Sequence, residues 1–336
     1  MTQNILPRRR LLALGAALSL PLASPFLLPS ATRAEGEEPA RFPGRTLRII
    51  VPVAPGGSQD LVARLIAKGM SDELGQMVQV ENLPGAGSNI GYEAASRARA
   101  DGYTLLAGSD SLSINAVLFP RLSYDPLKAF APILPGVSVP QILVVREDAP
   151  QRDLGSFVAA AREGALAVGT PGNGSLSHLV GELMQQSAEI RWTHVPYRGG
   201  APAINDLLAG HLQGVWINIG AVADHVRSGR LRGLAVSSPT RAAALPEVPT
   251  LEEGGFRNLS ATGWHGIVAP AGIDPAVVAK LSAAGRAAMR KPEVLERLAS
   301  LGVDPLDEAP EALAHRIQAD AERWAAVVQR GGIRPD

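Results

Sequence analysis

The chain has 336 residues with 32 basic and 32 acidic side chains, and 46% of its residues are hydrophobic. This length predicts one large domain or two medium ones, and the composition is too apolar for wholesale disorder. The balanced charge argues against a nucleic-acid-binding protein, which normally presents a strongly basic face. The sequence has no cysteine, which excludes thiol nucleophiles, disulfides and cysteine-ligated metal centres.

The N-terminus has the pattern of an export signal. Arg8–Arg10 precede the apolar stretch Leu11–Leu28, and small residues lead to a cut site after Ala34. We predict a secretory signal peptide over the first 34 residues. The alternative is a membrane anchor, which requires about 20 unbroken apolar residues, and Pro21 and Pro25 interrupt this stretch. Cleavage leaves 28 basic and 32 acidic residues, so we expect a mildly acidic, periplasmic protein. Either the Sec or the twin-arginine route fits the signal.

Strand and helix patterns alternate along the predicted mature chain. Residues 46–53 form a β-branched run that ends at a Pro-Gly-Gly turn, and a helical pattern follows it. Further strands are predicted at 77–81, 103–107, 141–145, 165–169, 191–195, 214–219 and 231–236, with helical patterns between most of them. Three helices that begin near prolines are predicted at 275–290, 292–301 and 310–330. This order indicates a mostly parallel sheet with helices on both faces.

Three loops rich in glycine and serine follow predicted strands, at residues 54–58, 108–111 and 172–175. In sheets of this kind, ligands lie beyond the carboxyl ends of the strands, where loops enter helix N-termini. Such loops favour an anionic or polar small molecule, although each one alone is also typical of an ordinary turn. The sequence has no GxGxxG, Walker A, HExxH or GxSxG motif, and its histidines are not spaced as metal ligands. We therefore expect no cofactor, no metal and no catalytic residue.

The segment Val51–Asp60 resembles the opening motif of the Bug-type extracytoplasmic solute receptors of the tripartite tricarboxylate transporter family. Further segments similar to that family follow in chain order at 80–91, 101–106, 124–133, 172–179, 194–199, 245–250 and 269–272. The resemblance implies an α/β fold, the type II periplasmic binding protein, with two doubly wound α/β domains joined by two crossover strands. It implies a first domain of residues 41–140 and 264–336, including the C-terminal helices, and a second domain of residues 141–263.

The resemblance also implies a small carboxylate ligand, held in the cleft between the domains without metal or chemical change. Together with the glycine-rich loops, it predicts the ligand-binding residues Ala54, Gly56, Gly57, Ser58, Asp60, Ser109, Asp110, Asn173, Ser175, His178, Tyr197 and Asn218. We expect Asp60 mainly to orient the first loop. Gln213 and Ile217 stand where the family often has aspartate, which makes a ligand with an amine less expected.

Three classes of function are compatible with this reading. The leading one is a monomeric receptor that delivers a carboxylate to the membrane permease subunits of a tripartite tricarboxylate transporter. The second is a ligand sensor that presents its bound state to a signalling partner. The third is a periplasmic enzyme on the same fold, against which the missing nucleophile motifs count. The sequence does not separate the first two, because both need the same closing cleft.

Overall fold

A computed structural model describes residues 41–164 and 166–335 of the chain. The predicted signal peptide lies outside the described residues. The strands are β1 (Leu47–Val51), β2 (Val78–Asn82), β3 (Thr104–Ser109), β4 (Phe130–Arg146), β5 (Ala167–Thr170), β6 (Thr193–Pro196), β7 (Gly214–Asn218), β8 (Leu231–Val236), β9 (Thr262–Pro270) and β10 (Asp304–Pro305). The helices are α1 (Ser58–Leu74), α2 (Asn89–Ser96), α3 (Ser111–Leu118), α4 (Leu154–Arg162), α5 (Leu176–Ala188), α6 (Gly200–Leu208), α7 (Ala223–Arg227), α8 (Pro275–Met289), α9 (Pro292–Ser300) and α10 (Pro310–Gly331).

Local sequence explains where these elements begin and end. Helix α1 buries Val62, Ile66 and Met70, which recur every fourth residue on one face, and it ends at Gly75 in the left-handed conformation. Helices α8, α9 and α10 each begin with proline, whose missing N–H is not needed in the first turn. The predicted alternation of strands and helices is therefore present.

The strands pair in the order β2-β1-β3-β9-β4-β7-β5-β6, and β8 and β10 pair with β4. Strands β1, β2 and β3 are parallel, and β9 runs antiparallel to both β3 and β4. Strand β7 is antiparallel to β4, and β5 and β6 run parallel to β7. As a result, the carboxyl ends of β1–β3 point toward the carboxyl ends of β5–β7, and the two sets meet around the middle of β4.

Strand β4 changes partners at one point along its length. Up to Pro140 it pairs with β9, where Pro140 lies opposite Thr262, and from Gln141 it pairs with β7, where Gln141 lies opposite Asn218. We call β1–β3, β9 and the part of β4 before this point the first half, and β5–β8 and the rest of β4 the second half. The crossover region denotes residues 137–141 and 261–264.

Helices cover both faces of the sheet in each half. In the first half, α1 and α8 pack on one face, and α2, α3 and the start of α10 pack on the other. In the second half, α4 and α5 lie on one face and α6 on the other. Helix α10 extends across both halves, because Leu313 and Ile317 belong to the first core while Trp324 and Val327 pack with α5 in the second.

The expectation of a mostly parallel sheet was wrong, because β4 pairs antiparallel with β7, β8, β9 and β10. Strand β10 was not expected either. Two further differences concern β4 and α3. Strand β4 covers Phe130–Arg146, whereas only residues 141–145 were expected. Helix α3 was not expected at all, although it lies directly after one of the predicted ligand loops. Both α3 and β4 belong to the segment that leads from the first half into the second.

Candidate ligand-binding site

The predicted ligand loops of the two halves meet at Gly263 in the crossover region. A Cβ added to Gly263 would lie 2.9 Å from Asp110 Oδ1, 3.0 Å from Leu176 Cδ2 and 3.3 Å from the Val139 carbonyl oxygen. These atoms belong to the start of α3, the start of α5 and β4. Gly174 adds a second close approach, because a Cβ there would lie 2.3 Å from Leu118 Cδ2 of α3. The N-termini of α3 and α5 are therefore neighbours at the crossover region.

The first loop, between β1 and α1, leaves open space in front of its glycines. Ala54, Gly56 and Gly57 are exposed. Gly56 has a φ of +90°, which favours glycine, and no heavy atom lies within 4 Å of a Cβ added there. At Gly57 the nearest atom to an added Cβ is the Ala54 carbonyl oxygen at 3.9 Å. A ligand could approach the backbone of this loop closely.

Asp60 lies buried beneath this loop, with 1% of its surface exposed. Its Oδ2 accepts hydrogen bonds from the Gly56 N–H and from Arg64 Nε, both at 2.9 Å, and its Oδ1 accepts from Asn82 Nδ2 at 2.8 Å. Burial by itself raises the pKa of Asp60, but the hydrogen bonds from Arg64, Gly56 and Asn82 outweigh it and hold the pKa below its ordinary value. The contacts support the expectation that Asp60 orients the loop.

Ser58 is the first residue of α1, directly after the open glycines. Its Oγ is buried and has no hydrogen-bond partner among the described residues. Gly57, the N-cap of α1, supplies no side-chain cap to the helix. An uncapped helix N-terminus carries partial positive charge and N–H groups that suit an anion. Ser58 adds a hydroxyl donor at the same end of the helix.

Ser109 and Asp110 connect β3 to α3. The hydroxyl groups of Ser109 and Tyr92 lie 3.0 Å apart in the core. Burial, reinforced by the charge of Asp320 on α10, raises the pKa of Asp110 to about 7, although the backbone at Asp110 and at Trp264 acts in the opposite direction. Both side chains are thus engaged with protein groups at the edge of the crossover region.

Ser175 and His178 organise the start of α5. Ser175 is the N-cap: its Oγ accepts from the His178 N–H at 3.3 Å and donates to the Gly172 carbonyl at 2.7 Å. His178 Nδ1 accepts from the Gly174 N–H at 3.1 Å, and its ring stacks on His194 at 3.7 Å. Burial and the neighbouring His194 lower the pKa of His178 to about 3. His178 is therefore neutral at physiological pH.

The other three predicted residues of the second half hydrogen-bond to nearby protein groups. Tyr197 donates its hydroxyl to Asp206 at 2.6 Å, and Asn218 Oδ1 accepts from the Ala221 N–H at 3.1 Å. Asn173 Nδ2 donates to the Arg334 carbonyl in the C-terminal tail at 2.6 Å. Asn173 and His178 also line a polar cavity of about 920 Å³ between α5, the start of β6 and that tail. This cavity lies within the second half, apart from the first loop.

The structure brings together two polar residues that the sequence analysis did not select. Gln141 and Ser177 are buried at the crossover region, and Ser177 Oγ donates to Gln141 Oε1 at 2.6 Å. The sequence feature that indicated Gln141 was its position directly before the apolar run Ile142–Val145.

Metal ligands and membrane-spanning helices can be assessed for residues 41–164 and 166–335. Within these ranges, no group of three or more histidine, aspartate or glutamate side chains could hold a metal ion. No helix in the same ranges is long and apolar enough to span a membrane.

Two α/β halves, opposed strand ends and a strand shared between the halves define a type II periplasmic binding protein, as the sequence predicted. A sequence profile of the tripartite tricarboxylate transporter family receptors matches residues 62–333. The chain belongs to this family and is a Bug-type receptor. It is 36% identical over 297 residues to Protein BugT of Bordetella pertussis, covering 87% of this chain and 91% of BugT.

Solved structures agree with this assignment. MatC of Rhodopseudomonas palustris, solved with bound malate, is 33% identical, with a TM-score of 0.75 over 85% of this chain and 100% of MatC. A second R. palustris protein, solved with adipate, is 29% identical, with a TM-score of 0.78 over 88% of this chain and 100% of that protein. The predicted family and fold class are confirmed.

Proposed function

We propose that this protein is a periplasmic solute-binding receptor. It captures a small carboxylate between its two halves and delivers it to the membrane subunits of a tripartite tricarboxylate transporter, without changing the ligand chemically. The observation that carries the proposal is Ser58 at the uncapped N-terminus of α1, whose buried hydroxyl has no protein partner among the described residues. The relatives solved with malate and with adipate support the same ligand class.

The donor set favours an anion over a sugar or an amine. Helix α1 points its N-terminus beyond the end of β1, and α5 points its N-terminus beyond the end of β5. Because the ends of these strands face each other, the positive ends of both helix dipoles point toward the crossover region. The Gly56 N–H is donated to Asp60, so the open backbone at Gly57 and at the start of α1 supplies the surface on which a carboxylate can accept N–H hydrogen bonds. The negative charge of Asp60 beneath this loop is paired with Arg64, and Asn82 donates a hydrogen bond to the same carboxylate.

Closure of the cleft requires two bodies and a hinge, and we place the division at 140/141 and 263/264. The exchange of strand partners between Pro140 and Gln141 supports the first boundary, and the second lies at the start of β9, where Thr262 is paired with Pro140. The C-terminal helices belong with the first body in this division, although the end of α10 packs against the second. A comparison of ligand-free and ligand-bound small-angle scattering tests the hinge, since closure reduces the radius of gyration.

A thermal-shift panel tests the ligand class. At about 100 times its dissociation constant, a ligand stabilises the folded state by about 2.7 kcal/mol, which for this size is a rise of roughly 5–10 °C. We expect carboxylates such as malate, adipate and citrate to give the large shifts, with EDTA making no difference. Recovery of the bound acid unchanged supports a receptor. A sugar or a cationic amine as the only strong hit would contradict the proposal.

Location and partners have their own tests. N-terminal sequencing of the exported protein should begin near Glu35, and a protein that retains its N-terminus in a membrane fraction would contradict export with cleavage. We expect a monomer by light scattering. Deletion of the cognate permease genes should abolish uptake of the bound acid, whereas loss of a transcriptional response with intact uptake would favour the sensor.

A further inference from the structure

A buried polar network joins the crossover region to the first turn of α5. Gln141 stands at the point where β4 exchanges partners, and both polar atoms of its side chain are hydrogen-bonded: Oε1 accepts from Ser177 Oγ at 2.6 Å, and Nε2 donates to the Val139 carbonyl at 3.1 Å. Gln141 is 4% exposed and Ser177 is 3% exposed. Amide and hydroxyl groups at this depth are costly unless they are paired, so the pairing fixes the orientation of both side chains.

The network continues into the second connection between the halves. The Gln141 N–H donates to Ser237 Oγ at 3.1 Å, and the Ser237 N–H donates back to the Gln141 carbonyl at 2.8 Å. Ser237 Oγ in turn donates to the Ala261 carbonyl at 2.5 Å, directly before β9. Four segments that are distant in sequence therefore share one set of hydrogen bonds: β4, the residue after β8, the residue before β9, and α5.

We infer that Gln141 is a positioning residue for ligand binding, which holds the N-terminus of α5 in register with the crossover region through Ser177. The inference rests on the proposed function, because it assumes that the ligand lies at the helix N-termini. Gln141 does not need to touch the ligand, since its polar side-chain atoms bond to protein groups. Ser177 follows the N-cap Ser175 by two residues, so a shift of Ser177 displaces the whole glycine-rich loop before α5.

The test removes the Ser177 hydroxyl and compares the effect with the loss of a serine hydroxyl far from the crossover region. Ser177→Ala deletes the hydroxyl that Gln141 accepts from. The matched control is Ser71→Ala near the end of α1, where Oγ donates to the Ala67 carbonyl at 2.8 Å and accepts from the Val78 N–H at 2.9 Å. Ser71 is about 20 Å along α1 from the first loop, at 1.5 Å per residue. Malate and adipate are the probes, titrated by calorimetry well below the unfolding temperature of each variant.

We expect Ser177→Ala to raise the dissociation constant about tenfold, and Ser71→Ala to keep it within twofold of the wild type despite a comparable loss of stability. Gln141→Leu should raise the dissociation constant as Ser177→Ala does. The double variant with both substitutions should bind the ligand no more weakly than Gln141→Leu alone. Wild-type affinity in Ser177→Ala, or equal weakening in Ser71→Ala, would overturn the inference.

A ligand-free measurement separates this inference from the proposed function. Amide hydrogen exchange of residues 172–181 should be faster in Ser177→Ala than in the wild type and in Ser71→Ala. If neither acid binds the wild-type protein, malate and adipate are excluded as ligands while the exchange result still decides the role of the network. Unchanged exchange in this segment would show that Gln141 does not position α5.

Discussion

Replacement of Gly57 by alanine separates ligand contact from folding. Gly57 has a φ of −73°, which alanine adopts without strain, and an added Cβ meets no atom nearer than 3.9 Å. Exchange of glycine for alanine at a compatible position stabilises a protein by roughly 0.4–1 kcal/mol, because it restricts the unfolded chain. Gly57 is also the N-cap of α1, where alanine is less favourable than glycine. Because the two effects oppose each other, we expect Gly57→Ala to unfold within about 4 °C of the wild type.

The same methyl group occupies the space in which the proposed carboxylate would approach the α1 N-terminus. A hydrogen bond to a charged group contributes about 1.5–3 kcal/mol, so its loss raises the dissociation constant roughly 10- to 150-fold. Affinity thus falls strongly in a variant whose stability changes little. Titration calorimetry with the strongest carboxylate of the panel, together with differential scanning calorimetry, measures both quantities.

Gly155→Ala is the matched control, because Gly155 is an exposed residue of α4 whose added Cβ would lie 3.5 Å from Asp153 Oδ1. We expect this variant to keep the wild-type affinity. Gly57→Ala with full stability and an unchanged dissociation constant would refute the placement of the ligand at the first loop. A large drop in its unfolding temperature would show that the space is not open.

Three further predictions concern single side chains. Ser58→Ala removes a hydroxyl that has no protein partner among the described residues, so thermal unfolding should be unchanged while calorimetry shows ligand affinity at least fivefold weaker. Asp110 has a folded-state pKa raised to about 7, so its neutral form stabilises the fold fully below pH 4, and this contribution is lost as the pH rises to 7. Urea unfolding should therefore show Asp110→Asn gaining stability relative to the wild type between pH 4 and pH 7. His178 has a pKa lowered to about 3, so its contribution is present above pH 6.5 and lost as the pH falls toward 3. The free energy of unfolding of His178→Gln should therefore fall less than that of the wild type as the pH decreases below 6.5.

Each of these predictions has a contradicting result. Loss of stability in Ser58→Ala would show that its hydroxyl has a structural partner, such as an ordered water. A constant stability difference between Asp110→Asn and the wild type from pH 4 to pH 8 would mean that Asp110 titrates normally. If His178→Gln loses as much stability as the wild type below pH 6.5, His178 protonates freely in the folded state.

The fold was predictable where local pattern determines it. Strands such as β1 and β3 are β-branched or apolar runs that lead into loops containing glycine and serine, and α1 after β1 shows regular apolar spacing. The family motifs lie at these junctions, so the fold class and the family follow from the sequence.

Strand β4 shows what local pattern misses. Pro132, Pro135, Gly136 and Pro140 interrupt its first eleven residues, and prolines normally argue against a central strand. The structure accommodates two of the interruptions as shifts of register against β9, between Pro132 and Leu134 and between Leu134 and Val137. Such irregularities depend on the partner strand, which is distant in sequence.

The candidate site was predictable as a set of loops but not as a set of contacts. Asp60 is held by Asn82, which lies 22 residues further along the chain. Ser175 caps a helix, and a serine in that position has the same sequence context whether it caps the helix or binds a ligand. Gln141 gains its role only when β8, β9 and α5 converge on it.

A crystal structure of the protein with the strongest carboxylate of the panel tests the central claim most directly. We expect one acid between the halves, with a carboxylate oxygen within hydrogen-bond distance of Ser58 Oγ or of the backbone N–H groups at Gly57 and Ser58. The bound acid should have the same covalent structure as the acid that was added. An acid bound instead in the cavity between α5 and the C-terminal tail, with the first loop free, would contradict the account.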